Sequence, residues 1–126
     1  LGMLPRDDTL KVEGLKNVFC GGEKAGLLVG HTEAIVTGTL AGHNAARAAF
    51  GLAPVEIHAA LACGDAIAYV RREMQTKAGL AKKYTFSGSV YFEHMQKQGL
   101  YTTDVAAIRA RVEKAGMTGA FARRLG

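Results

Sequence analysis

Gly21, Gly22 and Glu23 follow directly on the apolar run Val18-Phe19-Cys20, and Gly30, His31, Thr32 and Glu33 open a long helical pattern a few residues later. These types suit a ligand cradle. Glycines let a backbone approach a bound group closely and take positive φ. The first N–H groups of a helix have no partner within it and carry partial positive charge, so they favour a phosphate or the carbonyl edge of a flavin. Glu23 is a carboxylate and accepts hydrogen bonds from hydroxyl groups well. His31 adds a planar ring, and Glu33 places a negative charge in the first turn, where the helix dipole favours it.

The elements that must position these residues read as strand, loop and helix. Residues 17–20 have the β-branched, aromatic and small apolar types of a buried strand, and Gly21-Gly22 ends it. From His31 on, Gly30, Ala34, Gly38, Ala41, Gly42, Ala45 and Ala49 recur at helical spacing and predict a face that packs closely on a neighbour, with Gly38 in contact. Phe50-Gly51 and Pro54 stop the helix. Before the strand, residues 1–16 read as loop with a short alternating stretch at Leu10-Lys11-Val12-Glu13.

Beyond Val55 the pattern is helical. A stripe of Ile57, Leu61, Gly64, Ile67, Ala68 and Val70 predicts a helix over 59–75, continuing past a bend at Gly79. Ser87 or Ser89 is placed to cap a helix bearing Val90, Phe92, Met95 and Leu100 and closed by Gly99. Thr102 or Thr103 is placed to cap another, with Val105, Ile108 and Val112 inward, Arg109, Arg111, Glu113 and Lys114 outward, and Gly116 at its end. Thr118 starts a last turn with Phe121 and Leu125. The fold class is mainly α with a short β element.

The segment resembles the closing FAD-binding motif of the glucose-inhibited division protein A family, which includes the folate-dependent tRNA uracil methyltransferases. That family shows a Leu-Phe-Phe-Ala-Gly-like strand, then Gly-Tyr-x-Glu-Ala, then a Gly and an Ala-Gly-x-Asn-Ala-Ala helix. Here these read Val18-Phe19-Cys20-Gly21-Gly22, then Gly30-His31-Thr32-Glu33-Ala34, then Gly38 and Ala41-Gly42-His43-Asn44-Ala45-Ala46. A weaker likeness to the methyltransferase branch runs through Pro54-Val55 and Gly64-Asp65-Ala66-Ile67-Ala68-Tyr69. The resemblance implies FAD as cofactor of the full-length parent, with reduced nicotinamide and folate as further cofactors of the family. It assigns Gly21, Gly22, Glu23, Gly30, His31, Thr32 and Glu33 to the flavin, Glu23 toward the ribityl hydroxyls and His31 in place of the family's Tyr. It also implies a C-terminal fragment of an α/β, Rossmann-like FAD-binding domain over 1–52, followed by a helical C-terminal region over 53–126. The 126 residues hold no Gly-x-Gly-x-x-Gly turn for a pyrophosphate and begin at Leu1, which adds to the expectation of a fragment. The catalytic cysteines that the methyltransferase branch uses elsewhere in its chain have no counterpart here, so the catalytic residues are unknown and the isolated fragment is expected to be inactive.

Composition bounds the alternatives. An apolar content of 48% argues against disorder, while the apolar runs are too short and interrupted for a membrane span. Cys20 and Cys63 make no disulfide framework, and a reducing cytoplasm is expected, with both thiols in packing roles. His43, His58 and His94 show no metal-ligand spacing, so no metal is expected. Residues 64–126 carry eleven Lys/Arg against five Asp/Glu, a net of +6, and residues 1–63 a net of −1. Arg71, Arg72, Lys77, Lys82 and Lys83 would form a basic surface that attracts a polyanion such as tRNA, or would only solvate a helix. Three readings stand: the flavin-side part of a tRNA-modifying oxidoreductase, a tRNA-binding helical module, and a docking or dimerisation piece. The partners expected are the rest of the parent chain, tRNA and a second copy.

Overall fold

The computed structural model describes residues 4–26, 28–76, 79, 84–86, 89–122 and 125. Four helices are described: α1 (His31–Ala49), α2 (Ala62–Glu73), α3 (Ser89–Lys97) and α4 (Val105–Lys114), with a 3-10 turn at Gly22–Ala25 before them. The mainly α reading holds. Among the described residues the β structure is three isolated bridges, Arg6 with Val12, Lys11 with Phe19, and Leu28 with Tyr84.

The strand expected at 17–20 is therefore reduced to one bridging residue. Its partner segment is too short for a ladder: Leu10 takes φ 68°, Gly14 takes φ 82°, and only Lys11 and Val12 bridge between them. Two backbone bonds remain, Val12 N–H to Val18 O at 2.8 Å and Cys20 N–H to Leu10 O at 2.9 Å. Val18 stays 41% exposed. The Leu10 turn is closed by Asp7, whose Oδ1 accepts from the N–H and hydroxyl of Thr9 and from the N–H of Lys11.

Helix α1 starts and stops where its residues predict. At its end Gly51 N–H bonds Ala48 O at 3.1 Å and Leu52 N–H bonds Arg47 O at 2.8 Å, with Gly51 at φ +72°. Helix α2 is shorter than the predicted 59–75. His58 folds residues 58–61 into a turn instead, its Nδ1 accepting from Ala60 N–H at 2.9 Å while its carbonyl accepts from Leu61 N–H at 3.0 Å. The continuation past Gly79 falls largely on residues 77, 78 and 80–83, outside the described residues. Helix α3 buries Tyr91 and Met95, and Gly99 closes it at φ +69° with Leu100 N–H on Met95 O. Ser87, the other cap considered, lies outside the described residues.

Helix α4 corrects two expectations. Its cap is Asp104, whose Oδ1 accepts from Ala106 N–H at 3.0 Å and Ala107 N–H at 3.4 Å, while Thr102 Oγ1 accepts from Asp104 N–H. A carboxylate accepts more strongly than a hydroxyl, so the acid takes the cap and the threonine braces it. No residue of α4 is buried, and its expected inward face is open, with Val105 at 66% and Ile108 at 41% exposure. Arg111, expected outward, instead donates to Leu100 O at 2.7 Å and Gly99 O at 3.0 Å.

Two buried clusters hold the chain together. One gathers Leu10, Val12, Cys20, Ala25, Leu40, Ala41 and Ile67, with Val55 and Ile57 against it, so residues on both sides of position 52 share it. The other gathers Leu28, Ala66, Val70, Tyr84, Tyr91 and Met95. Arg6 clasps the first of them, joining its members Ala25 and Ile67. It is 1% exposed and donates to Ala25 O at 3.0 and 2.8 Å and to Ile67 O at 2.9 Å. Burial pushes its guanidinium down to about 10, which leaves it charged at neutral pH, and Asp8 lies 3.7 Å away.

Candidate cofactor-binding segment

The 3-10 turn carries Gly21, Gly22 and Glu23 onto the side of α1. A Cβ on Gly21 would stand 3.2 Å from the Gly38 nitrogen and 3.3 Å from the Thr37 carbonyl carbon, so close packing on α1 is the work of Gly21. Gly38 itself faces open space, contrary to the close contact its spacing predicts. The joint is pinned by Thr37, which is 1% exposed: its Oγ1 accepts from Gly22 N–H at 2.7 Å and donates to Glu33 O at 2.8 Å. Glu23 points to solvent.

Gly30 caps α1 at φ 125° and ψ 165°, with no side-chain cap bond. A Cβ on Gly30 would collide with the Glu33 carboxylate. That carboxylate is 5% exposed, and its Oε1 accepts from Phe86 N–H at 2.8 Å, so the Glu33 side chain is bound to the interior and only its backbone faces the helix start. His31 and Thr32 are exposed. Their N–H groups and that of Glu33 have no partner among the described residues.

The predicted site residues thus fall into two places on one edge of α1. His31 and Thr32 stand at its start, and the Gly22–Glu23 turn joins it at Thr37, six residues on, about 9 Å along the axis. That separation suits an extended group better than a single phosphate. A flavin cofactor fits these residues in part: the open N–H groups at 31–33 and the Glu23 carboxylate are available to it, while Gly21 and the Glu33 side chain are occupied by the fold.

Sequence reasoning missed Thr37 and Phe86, and placed Asn44 in a motif without a role. Asn44 is fully buried; its Nδ2 donates to Thr9 O at 2.9 Å and Val55 O at 2.8 Å, and its Oδ1 accepts from Val55 N–H at 2.8 Å. The signal for Thr37 was its place one turn after Glu33 on the same helix face.

Burial pushes the thiols of Cys20 and Cys63 up, which disfavours the thiolate a nucleophile needs. Among the described residues no group of His, Cys, Asp and Glu could hold a metal. His94 instead sits 3.0 Å from Asp65 and stacks on Tyr69 with centroids 4.1 Å apart. Of the expected basic surface, Arg71 is bound to Asp8 at 2.6 Å, Arg72 lies over the Tyr69 ring at 6.0 Å, and Lys77, Lys82 and Lys83 lie outside the described residues. No described helix is long and apolar enough to cross a membrane.

Residues 4–53 match the model of a family described as glucose inhibited division protein A. No match was found among curated proteins or among solved structures.

Proposed function

We propose, from the premise that the chain is related to the glucose inhibited division protein A family over residues 4–53, that it forms the flavin-side segment of an FAD-dependent oxidoreductase of the tRNA-modifying kind. One observation carries the reading: α1 begins with a turn that no side chain caps, its three leading N–H groups free of partners among the described residues and flanked by exposed His31 and Thr32. FAD would supply hydride and electron transfer when bound. The chain's own part is positional. The amides of His31, Thr32 and Glu33 present donors and the positive end of the helix dipole to an electron-rich carbonyl edge. Glu23 accepts from hydroxyl groups further along the cofactor. Thr37, bonded to Gly22 N–H, fixes the distance between these two contacts.

The finer parts of the reading extend this role. The segment completes an α/β, Rossmann-like domain together with other parts of the parent chain, reduced nicotinamide and folate serve as co-reactants, tRNA is the substrate, and the work is done in the cytoplasm. A tRNA partner draws on the net charge of +6 over residues 64–126. With Arg71 neutralised by Asp8, that attraction falls to the other basic residues.

Proline at the first helical position keeps the helix and deletes one N–H, so His31→Pro in the full-length protein tests the role of the amides. The expected result is at least tenfold weaker FAD retention with unchanged thermal melting. Full retention of FAD by that variant, or a parent protein free of flavin, would overturn the proposal.

A further inference from the structure

Between α2, α3 and α4 lies a cavity of about 370 Å³ walled by Ile57, Leu61, Met95, Ile108, Val112 and Met117. Beside it is a second of about 450 Å³, whose polar wall is His58, Arg111 and Lys114. Leu100 and Arg111 belong to both. Volumes of this size suit small-molecule ligands, for which pockets of roughly 300–1,000 Å³ are usual.

The charge of the pair is one-sided. Among the described residues no acidic one lines either chamber. Arg111 spends two donors on Leu100 O and Gly99 O and has no acidic partner among the described residues. A guanidinium has five N–H donors, so further ones remain at the boundary between the apolar and basic chambers. Lys114 is exposed and also has no ion pair among the described residues. The apolar walls include two methionines, whose unbranched side chains adapt to a flexible occupant.

The geometry points to a binding site for a small amphipathic carboxylate, a single aliphatic chain in the apolar chamber with its carboxylate on Arg111 and Lys114. Such a ligand closes what the fold leaves open: it covers the bare side of α4 at Ile108 and neutralises a cation that, among the described residues, no acid pairs with. The site lies away from the start of α1, and nothing in it depends on a flavin.

Decanoate is the probe, titrated into the full protein carrying methyl-labelled methionine below the concentration at which decanoate forms micelles. The Met95 and Met117 methyl signals should shift and saturate together while that of Met74, which packs elsewhere near Gly26, stays in place. Acetate, without the chain, should shift none of them. Decanol, without the charge, should bind at least tenfold more weakly. Lys114→Gln should weaken decanoate severalfold and leave decanol unchanged, a contrast that a mere change in folding would not produce. Equal binding of decanol and decanoate would overturn the head-group assignment and with it the proposal. So would shifts that fail to saturate, that include Met74, or that are absent.

Discussion

Around Leu10 and Leu40 buried Arg6, Asn44 and Thr37 are bonded to backbone groups, whereas around Tyr84 and Tyr91 the buried polar groups are phenol hydroxyls, with half-buried Asp65 and His94 beside Tyr91. The first set keeps its charge state across the ordinary pH range. The phenols of the second give up their protons only in alkali. Tyr91 OH lies 3.0 Å from Ala62 O and 2.8 Å from Asp65 Oδ2, one proton before two acceptors, and burial followed by that carboxylate pushes its ionisation up. Burial pushes Tyr84 up to about 12 and, with Glu73, raises Tyr69. Two clusters of similar size are thus closed differently, one by side chains bonded to backbone amides and carbonyls and the other by phenols whose ionisation the fold resists.

The strongest way to break the first cluster alone is Arg6→Met. It leaves Ala25 O and Ile67 O without their donors and removes one of the two cations at Asp8. The expected loss is about 3–5 kcal/mol in urea unfolding, the range for breaking a buried charged network. A loss under about 1 kcal/mol would show that the clasp adds little.

The second cluster should yield to alkali. A phenol whose folded pKa is raised holds its proton longer in the folded than in the unfolded chain, so its stabilising share is complete below pH 10 and declines as pH rises toward 12. For Tyr84 that decline is on the order of 2–3 kcal/mol, from 1.36 kcal/mol per unit. Urea unfolding at stepped pH, followed by tyrosinate absorbance, should show ionisation arriving with unfolding, and Tyr84→Phe should flatten the dependence. Free ionisation of all tyrosines before unfolding would remove the contrast between the clusters.

The smallest effect has the opposite sign. Gly38 faces open space on α1, so Gly38→Ala should raise stability by about 0.5–1 kcal/mol through helix propensity. Gly21→Ala, which would press on the α1 backbone, should lower the melting temperature. Two falling temperatures would mean that the outer face of α1 is covered in solution.

The Gly38 result shows where the sequence was legible. The ends of α1, the closure of α3 at Gly99 and of α4 at Gly116 followed from local rules, since a capping turn is decided within a few residues. The inward face of α1 did not. A stripe of small residues and a stripe of Glu33, Thr37, Leu40 and Asn44 share that helix and meet at Ala41, and pattern reasoning favours burying the first. The fold buries the second, because distant backbone groups of Thr9, Gly22, Val55 and Phe86 supply the missing hydrogen bonds. The strand at 17–20 failed for a related reason: β structure needs a partner, and the partner is cut short at Leu10 and Gly14. At the candidate site, the helix start and its glycines were readable, but the engagement of Glu33 with Phe86, 53 residues away, was not.

Leu10 stands at φ 68° with its side chain fully buried, an ordinary L-residue in a backbone region that costs it roughly 1–2 kcal/mol. Glycine would relieve that backbone and forfeit a leucine's burial, worth about 1.5–3 kcal/mol; asparagine would suit the turn and bring an amide into an apolar interior. Each remedy for the turn harms the core, so position 10 is a compromise between two local optima and admits few substitutes on either count.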